Sequence, residues 1–254
     1  MAIQRVTFEG GTGAELAARL DMLQDQPHAI CLFAHCFTCG KDIAAATRIA
    51  RGLVDAGYGV LRFDFTGLGH SEGEFASTNF SSNVEDLLAA AAWLREHHAA
   101  PGLLVGHSLG GAAVLAAAPR IDECRAVATI GAPSEPSHVE HLFGPHTPEI
   151  ESRGEVSLEL AGRPFTIRNQ FLEDIRATNL RNRLGQLGRA LMVMHSPVDS
   201  TVGIDNAEEI YVAAQHPKSF VSLDRADHML SNKEDAEFAA SVLGAWAARY
   251  VSSD

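Results

Sequence analysis

The sequence predicts an α/β domain built on a mostly parallel sheet of about eight strands, with helices packed against it and one small insertion. Short continuous apolar runs, typical of strands buried on both faces, alternate with longer segments of helical periodicity. Such alternation produces right-handed βαβ crossovers and therefore a parallel sheet. The length of 254 residues suits a single domain of this class.

The predicted elements follow one another along the chain with short connections. Residues 3–8 and 15–22 flank a glycine-rich turn and predict an antiparallel hairpin at a sheet edge. Apolar runs predict the six other strands, at residues 29–34, 59–65, 102–106, 126–130, 190–195 and 219–223. Helical spacing predicts helices at residues 43–56, 83–98, 109–118 and 233–250, the second of them begun by Ser81, Ser82 or Asn83.

One polar segment, residues 134–187, interrupts this alternation and contains several prolines and glycines. It includes a possible hairpin, residues 155–160 and 164–168, followed by helical pieces at 169–178. We expect a cap or lid at 134–187 over an α/β core formed by residues 1–133 and 188–254. A peripheral decoration is the alternative. The candidates to line a substrate pocket are Phe143, Phe165 and Phe171, although the core of a small insertion would need them equally.

The net charge of −12 makes nucleic acid an unexpected partner, because an acidic surface repels phosphate backbones. No apolar run approaches the roughly 20 residues of a membrane span, and the first residues lack a signal-peptide pattern. We therefore expect a cytoplasmic protein without a membrane partner. The sequence leaves a homodimer open.

A nucleophile motif stands where a strand meets a helix. Residues 106–110 read Gly-His-Ser-Leu-Gly, between the strand at 102–106 and the helix at 109–118. This strand–turn–helix setting is the one in which Gly-x-Ser-x-Gly forms a sharp turn that exposes the serine hydroxyl. Only very small residues fit two positions before and after the serine, and Gly106 and Gly110 supply them. The pattern predicts Ser108 as a nucleophile and the N–H of Leu109 as an oxyanion donor.

A serine nucleophile needs a base, and an acid and a histidine follow Ser108 at the ends of two later strands. Asp199 follows the strand at 190–195, and His228 follows the strand at 219–223. Both lie at C-terminal strand ends, where parallel sheets place their sites. We expect His228 to transfer the proton and Asp199 to orient its ring. The alternative acids are Asp205, Asp224 and Asp227, and the histidines expected to be structural are His35, His107 and His195.

Two cysteines lie in the loop after the strand at 29–34. Cys36 and Cys39 form a Cys-x-x-Cys pattern, for which a redox pair or half of a zinc site are alternatives. Zinc needs four ligands, and the sequence has no second such pair. We favour two small residues in a tight loop. No metal or cofactor is expected.

The nucleophile motif, the order Ser108, Asp199, His228 and the eight-strand pattern resemble the α/β-hydrolase family throughout the chain. The loop that begins His35-Cys36-Phe37 matches the His-Gly-x loop of that family. The resemblance implies that the N–H of Phe37 is the second oxyanion donor. The sequence departs from the pattern by having Cys36 where glycine is usual.

A narrower resemblance concerns three segments, RFDFTGLGHSEG at residues 62–73, HSPVD at 195–199 and PKSF at 217–220. They are similar to the hydrolase half of bacterial proteins that join an α/β-hydrolase to an OsmC-type domain. The second domain is expected to be absent from this chain. The resemblance implies a small acyl hydrolase, with Asp64 as a structural residue at the edge of the site.

The sequence thus predicts a serine hydrolase that cleaves carboxylic esters of small or medium acyl chains through an acyl-enzyme. Its expected partner is a small-molecule ester. A thioesterase and a small-peptide peptidase are the close alternatives, because the same residues serve them. A haloalkane-type dehalogenase of this fold would use an aspartate nucleophile, so Ser108 disfavours it. A non-catalytic or redox-sensing protein on a hydrolase scaffold is the alternative of another class.

Overall fold

The computed structural model describes residues 2–23 and 27–251 and contains ten strands. Eight of them form one sheet in the order β1-β2-β4-β3-β5-β6-β9-β10, and β7 pairs only with β8. In chain order the strands are β1 (Ala2–Glu9), β2 (Glu15–Met22), β3 (Ile30–Ala34), β4 (Gly59–Phe63), β5 (Pro101–His107), β6 (Ala126–Ile130), β7 (Glu155–Leu160), β8 (Arg163–Arg168), β9 (Ala190–His195) and β10 (Lys218–Ser222).

The strand pairing confirms the predicted sheet. β1 pairs with β2, and β2 with β4, in antiparallel register, whereas every pairing from β4 to β10 is parallel. The hairpin therefore lies at one edge of an otherwise parallel sheet, as expected. The C-terminal ends of the parallel strands all point to the same side of the sheet, and the candidate site lies at these strand ends.

Eight helices accompany the strands in the described part of the chain: α1 (Ala44–Asp55), α2 (Phe80–His97), α3 (Leu109–Ala117), α4 (Thr147–Arg153), α5 (Asn169–Ala177), α6 (Arg181–Leu184), α7 (Asp205–Ala213) and α8 (Lys233–Val251). Buried residues of α1 and α8 pack on one face of the sheet, and those of α2, α3 and α7 on the other. None of the helices described is both long and apolar enough to cross a membrane.

The strand β3 shows why the central strands have continuous apolar sequences. All five of its residues are buried. Leu32 and Ala34 contribute to the core beneath α2 and α3, while Cys31 and Phe33 contribute to the core beneath α1 and α8. Because successive side chains of a strand point to opposite faces, a sheet covered on both sides needs apolar residues at every position.

The start of α2 differs from the sequence prediction. The helix begins at Phe80, and its cap is Asn79 rather than Ser81, Ser82 or Asn83. Asn79 Oδ1 accepts the N–H of Ser82 at 2.8 Å, and Ser82 Oγ accepts the N–H of Asn79 at 2.9 Å. This reciprocal capping box satisfies two backbone donors at the helix start. Ser82 is therefore the third residue of the helix and not its cap.

The segment 134–187 lies between β6 and β9 and forms its own small substructure. The predicted hairpin is present as β7 and β8, with its turn at Ala161 and Gly162. The expected helical piece is α5, and two further short helices, α4 and α6, complete the segment. Its apolar side chains join the core on the α2 and α3 face of the sheet.

Candidate active site

Ser108 occupies the turn between β5 and α3. Its backbone dihedrals are φ 55° and ψ −127°, in a region that non-glycine residues rarely adopt. His107 is the last residue of β5, Ser108 follows it directly, and α3 begins at the next residue, Leu109. Strained backbone of this kind persists only where the surrounding structure holds it, and it clusters at functional sites.

Glycines on both sides of Ser108 allow this turn, as predicted. A Cβ on Gly106 would lie 2.2 Å from the carbonyl oxygen of Gly110, and a Cβ on Gly110 would lie 2.4 Å from the carbonyl oxygen of His35. Both clashes are with backbone atoms, which cannot move aside without displacing β3 or α3. At a third glycine, Gly111, a Cβ would lie 2.5 Å from the Cβ of Ala132. The steric requirement for glycine at 106 and 110 is confirmed.

Asp199 and His228 form a hydrogen-bonded pair at the ends of β9 and β10. His228 Nδ1 lies 2.7 Å from Asp199 Oδ2. The other carboxylate oxygen, Oδ1, accepts the N–H groups of Thr201 at 2.8 Å and Val202 at 2.9 Å. Burial alone would raise the pKa of Asp199, but the hydrogen bonds from His228 and the two N–H groups outweigh it and hold that pKa below its usual range. Asp199 is therefore an anion that orients the imidazole.

Gly131, which the sequence analysis did not identify, makes room for this pair. It follows β6 with φ 55°, and a Cβ there would lie 3.2 Å from Asp199 Oδ2 and 3.4 Å from His228 Nδ1. Its N–H donates to the carbonyl of Met194 at 2.9 Å, which ties the residue to β9. The only signal in the sequence is a glycine directly after a strand, and that signal does not reveal contacts with residues 68 and 97 positions away.

Ser108 and His228 face the same cavity, which has a volume of about 340 Å³. The hydroxyl of Ser108 makes no hydrogen bond with any described residue, so it is available to a bound molecule. Hydrogen bonds between a nucleophile and its base are often loose without substrate and tighten in the reacting complex. Ser108, Asp199 and His228, the three residues predicted from their order in the chain, therefore all lie at the C-terminal ends of the strands.

Two buried histidines support the loops that carry the pair. His107 Nε2 lies 2.7 Å from the carbonyl oxygen of His228, and His195 Nε2 lies 2.8 Å from that of Val202. Burial, with a smaller effect of nearby His228, lowers the pKa of His107 to about 4. Burial also lowers the pKa of His195. Both rings are neutral donors to backbone carbonyls at ordinary pH, in agreement with the structural role expected for them.

The loop after β3 carries the second expected oxyanion donor. The N–H groups of Phe37 and Leu109 make no hydrogen bond in the described part of the chain, and Leu109, as the first residue of α3, has no acceptor within its helix. Both residues line the cavity with Ser108. His35 Nδ1 lies 2.8 Å from the carbonyl oxygen of Cys36 and holds the start of this loop.

Cys36 and Cys39 are joined by a disulfide. Two separate small residues in a tight loop are the sequence prediction at these positions, and the disulfide shows that this prediction is wrong. The spacing of three residues brings the two Cα atoms to 5.3 Å, within the range that a disulfide spans. Cys31 and Cys124 are free and buried.

Asp64 lies beside the far end of the same loop and has a structural role, as expected. Its Oδ1 accepts the N–H of Lys41 at 2.6 Å, and its Oδ2 accepts Lys41 Nζ at 2.7 Å and the N–H of His70 at 3.0 Å. Burial would raise the pKa of Asp64, but the hydrogen bonds from Lys41 outweigh it and keep that pKa low. The ion pair fixes Lys41 against the end of β4.

The three aromatic residues considered for the pocket lie elsewhere. Phe143 and Phe171 are buried in the core, and Phe165 packs against Phe75 with ring centroids 4.8 Å apart. Phe171 contacts the rings of Phe37 and Phe143, with centroids 5.5 and 6.1 Å apart. None of the three predicted residues is among those that line the cavity. From the segment 134–187 the lining residues are His138, Val139, His141, Leu142, Leu160 and Ala161.

Comparisons with known proteins place the chain in a family. Residues 25–146 match the family model described as serine aminopeptidase, S33. No curated protein sequence matches the chain. The crystal structure of the esterase domain of a Rhodothermus marinus protein is 51% identical, with a TM-score of 0.81, and the match covers 99% of this chain and 100% of that one.

Two more distant structures share the fold. Est1E from Butyrivibrio proteoclasticus, solved with ferulic acid, is 18% identical over 96% of this chain and 100% of its own, with a TM-score of 0.78. Mouse alpha/beta hydrolase domain-containing protein 10 is 19% identical over 97% and 99%, with a TM-score of 0.80. The fold and the Rhodothermus relative together show that the chain is a hydrolase belonging to the α/β-hydrolase family.

Proposed function

We propose that the protein hydrolyses carboxylic esters of small to medium acyl chains, with Ser108 as its nucleophile. The observation that carries this proposal is the Asp199–His228 pair, which faces the same cavity as the strained, unbonded Ser108. The 51% identity to a domain described as an esterase supports it.

Each residue of the site has a separate role in the proposed reaction. His228 takes the proton of Ser108 Oγ as that oxygen attacks the ester carbonyl, and Asp199 stabilises the resulting imidazolium. The negative charge that develops on the carbonyl oxygen is met by the N–H groups of Leu109 and Phe37. His228 then gives its proton to the departing alcohol. A water molecule, activated in the same way, hydrolyses the acyl-enzyme and restores Ser108.

The lining of the cavity supports a neutral, largely apolar substrate. Among the described residues that line it, none is Asp, Glu, Lys or Arg, and apolar side chains such as Val139, Leu142 and Leu160 form its wall. Its volume of about 340 Å³ is near the lower end of the range for ligand sites, about 300–1,000 Å³. Both properties favour esters of short or medium acyl chains.

The aminopeptidase alternative is less well supported by the same lining. An aminopeptidase must bind a positively charged amino group, for which an acidic side chain is the usual partner. No such side chain is among the described lining residues. Thioesters differ from esters mainly in the leaving atom, so a thioester substrate remains the second candidate and is tested directly.

The test compares the wild-type protein with Ser108→Ala on p-nitrophenyl acetate, butyrate and octanoate. The wild type should be active, and the alanine variant should lose at least about 1,000-fold in kcat/KM because the nucleophile is gone. Ser152→Ala, which alters an exposed serine of α4, is the matched control and should keep full activity. A fluorophosphonate probe should label the wild type and the control but not Ser108→Ala.

Two results would contradict the proposal. One is an active Ser108→Ala variant, which would place the chemistry elsewhere. The other is a wild-type protein that is folded but neither labels nor hydrolyses any of the three esters. Parallel assays with a butyryl thioester and with an alanine p-nitroanilide rank the alternatives, and a higher kcat/KM for either would replace the ester assignment.

A further inference from the structure

A covalently closed turn lies directly beside the nucleophile. Residues 36–39, called here the 36–39 loop, are closed by the Cys36–Cys39 disulfide and carry the N–H of Phe37. Every residue of this loop lines the cavity that contains Ser108. The proposed reaction uses the Phe37 N–H, whereas the sulfur atoms of Cys36 and Cys39 take no part in it.

We propose that Cys36 and Cys39 are redox-sensitive positioning residues, whose disulfide holds the Phe37 N–H in the oxyanion hole and whose reduction by a low-molecular-weight dithiol slows turnover. The inference rests on the proposed function. It assigns the disulfide to the control of kcat by that same site.

The chain on either side of the 36–39 loop is anchored independently of the disulfide. On the upstream side, His35 Nδ1 contacts the carbonyl of Cys36, and His35 Nε2 accepts the N–H of Phe65 at 3.4 Å. On the downstream side, Lys41 is held by its ion pair with Asp64. Between these anchors, the Cys36–Phe37 peptide is held from outside the loop at its carbonyl oxygen, and the rest of the turn is closed within the loop.

Inside the loop, the backbone is in a conformation that needs support. Thr38 has φ 58°, in the left-handed region that is a marked outlier for a β-branched residue. One backbone hydrogen bond, from the N–H of Cys39 to the carbonyl of Cys36 at 3.1 Å, closes the same turn as the disulfide. Without the covalent closure, that bond and a hydrogen bond from Arg163 to the carbonyl of Thr38 would have to maintain the strained residue.

The side chain of Phe37 is fixed by packing, whereas its amide is held only through the carbonyl of the same peptide, Cys36 O, which contacts His35 Nδ1 at 2.8 Å and accepts the N–H of Cys39 at 3.1 Å. The second of these hydrogen bonds depends on the turn that the disulfide closes. The ring of Phe37 lies 5.8 Å from that of Phe75 and 5.5 Å from that of Phe171. The ring therefore stays in place when the loop relaxes, and the expected motion is a rotation of the Cys36–Phe37 peptide. Such a rotation removes the oxyanion donor while it leaves the shape of the cavity nearly unchanged.

The 36–39 loop also contacts the tip of the hairpin β7–β8. The guanidinium of Arg163 donates a hydrogen bond to the carbonyl oxygen of Thr38. The neighbouring residues Leu160 and Ala161 line the cavity. The disulfide thus stiffens a segment that joins the oxyanion donor to the wall of the substrate cavity.

Cys36 and Cys39 both line the cavity, whereas Cys31 and Cys124 do not. Cys39 is partly exposed and Cys36 is 4% exposed. Cys31 and Cys124 are fully buried, and burial raises the pKa of both thiols. A thiol reagent small enough to enter the cavity therefore meets the disulfide and not the free cysteines.

The exchange balances with a dithiol as the reductant. One thiolate of the dithiol attacks the more exposed sulfur, Cys39 Sγ, and the S–S bond breaks with its electron pair on Cys36 Sγ, which takes up a proton. The second thiol of the reagent loses its proton and attacks its partner sulfur in the mixed disulfide. Cys39 leaves as a thiolate and is protonated, and the reagent becomes a cyclic disulfide. The protein gains two electrons and two protons.

The expected effect is on kcat rather than on KM. Removing an oxyanion donor altogether costs about 100- to 1,000-fold in kcat. A loop that still visits the productive orientation about a tenth of the time would lower kcat about tenfold, since the rate follows the competent population. KM for p-nitrophenyl butyrate should stay within about twofold, because the ring of Phe37, Ser108 and the wall formed by residues 138–142 and 160–161 are unaltered.

The experiment measures kcat and KM for p-nitrophenyl butyrate before and after treatment with dithiothreitol, and again after reoxidation. Thiol titration in denaturant should find two thiols before treatment and four afterwards. Reduction should lower kcat about tenfold, and reoxidation should restore it. The double variant Cys36→Ser, Cys39→Ser should have the kcat of the reduced wild type and no response to dithiothreitol. Cys124→Ala, the matched control, should keep the wild-type kcat and the full response.

Several results would overturn the inference. A wild type with four titratable thiols after air oxidation would show that the disulfide does not form. Unchanged kcat after complete reduction, or a double variant with the kcat of the oxidised wild type, would show that the disulfide does not position the donor. Equal hydrolysis by both redox forms, with Ser108 labelled in both, refutes this inference and leaves the esterase proposal intact. If neither form hydrolyses or labels, both proposals fail.

Discussion

Replacing Gly131 by alanine tests whether the positions of the Asp199 and His228 side chains depend on the space left by the glycine at the end of β6. The new Cβ would lie 3.2 Å from Asp199 Oδ2, 3.4 Å from His228 Nδ1 and 3.5 Å from His228 Cε1. The first of these contacts is tighter than most real Cβ contacts, so the pair has to give way by a few tenths of an ångström. The backbone φ of 55° adds a cost of about 1–2 kcal/mol for a residue with a side chain.

The displacement sets the expected loss of activity. Misplacing a catalytic group by about 1 Å costs about 100-fold in rate, so a shift of a few tenths of an ångström should lower kcat about five- to tenfold. KM should change little, because Gly131 is not among the residues that line the cavity. Steady-state kinetics with p-nitrophenyl butyrate give both constants, and urea unfolding gives the loss of stability.

Gly13→Ala is the matched control for this variant. Gly13 also has a positive φ, 83°, but a Cβ there would meet no atom within 4 Å, and the residue lies in the β1–β2 turn. The control should lose a comparable amount of stability through backbone strain and keep the wild-type kcat. A folded Gly131→Ala protein with kcat within twofold of the control would refute the steric argument.

Two further predictions concern stability. Because the pKa of His107 falls from 6.5 to about 4 on folding, the unfolded chain binds a proton there before the native protein does, and stability should be lost as the pH falls from 6.5 to 4. The contribution of His107 to this loss is about 3 kcal/mol. His107→Gln should reduce the slope of the unfolding free energy against pH in urea unfolding and leave the part that other buried histidines such as His195 contribute; the wild-type slope in that variant would contradict the assignment. Asn79→Ala should lower the unfolding free energy by about 1 kcal/mol through loss of the α2 cap, whereas Asn79→Asp, which keeps a capping oxygen, should lose less than half of that.

Much of the fold was predictable because the central strands are covered on both faces. The bounds predicted for β6 and β9, residues 126–130 and 190–195, are those of the structure. A fully buried strand needs an unbroken apolar run, and the polar residues on either side mark its ends. The same logic located Ser108, Asp199 and His228, since each directly follows a strand or lies in the turn after it.

Features that depend on contacts distant in sequence were not predictable. The helix α7 was missed because, apart from Asn206, its buried residues are only Ala207 and Ile210, too few to give a clear helical period. Nothing in the sequence around Gly131 indicates that this residue lies against the Asp199–His228 pair. The position of Phe143 in the core, rather than at the cavity, follows from packing that a linear pattern does not specify.

The cavity has walls from two parts of the chain. Ser108 and His228 follow strands of the main sheet, whereas residues 138–142 and 160–161 belong to the segment between β6 and β9. Two contacts join these parts: His138 Nε2 lies 3.1 Å from the carbonyl oxygen of Thr201, the residue whose N–H donates to Asp199, and Arg163 donates to the carbonyl oxygen of Thr38. A variant library confined to Val139, Leu142, Leu160 and Ala161 spares both contacts and would therefore sample new substrate preferences while most of its members stay catalytically competent.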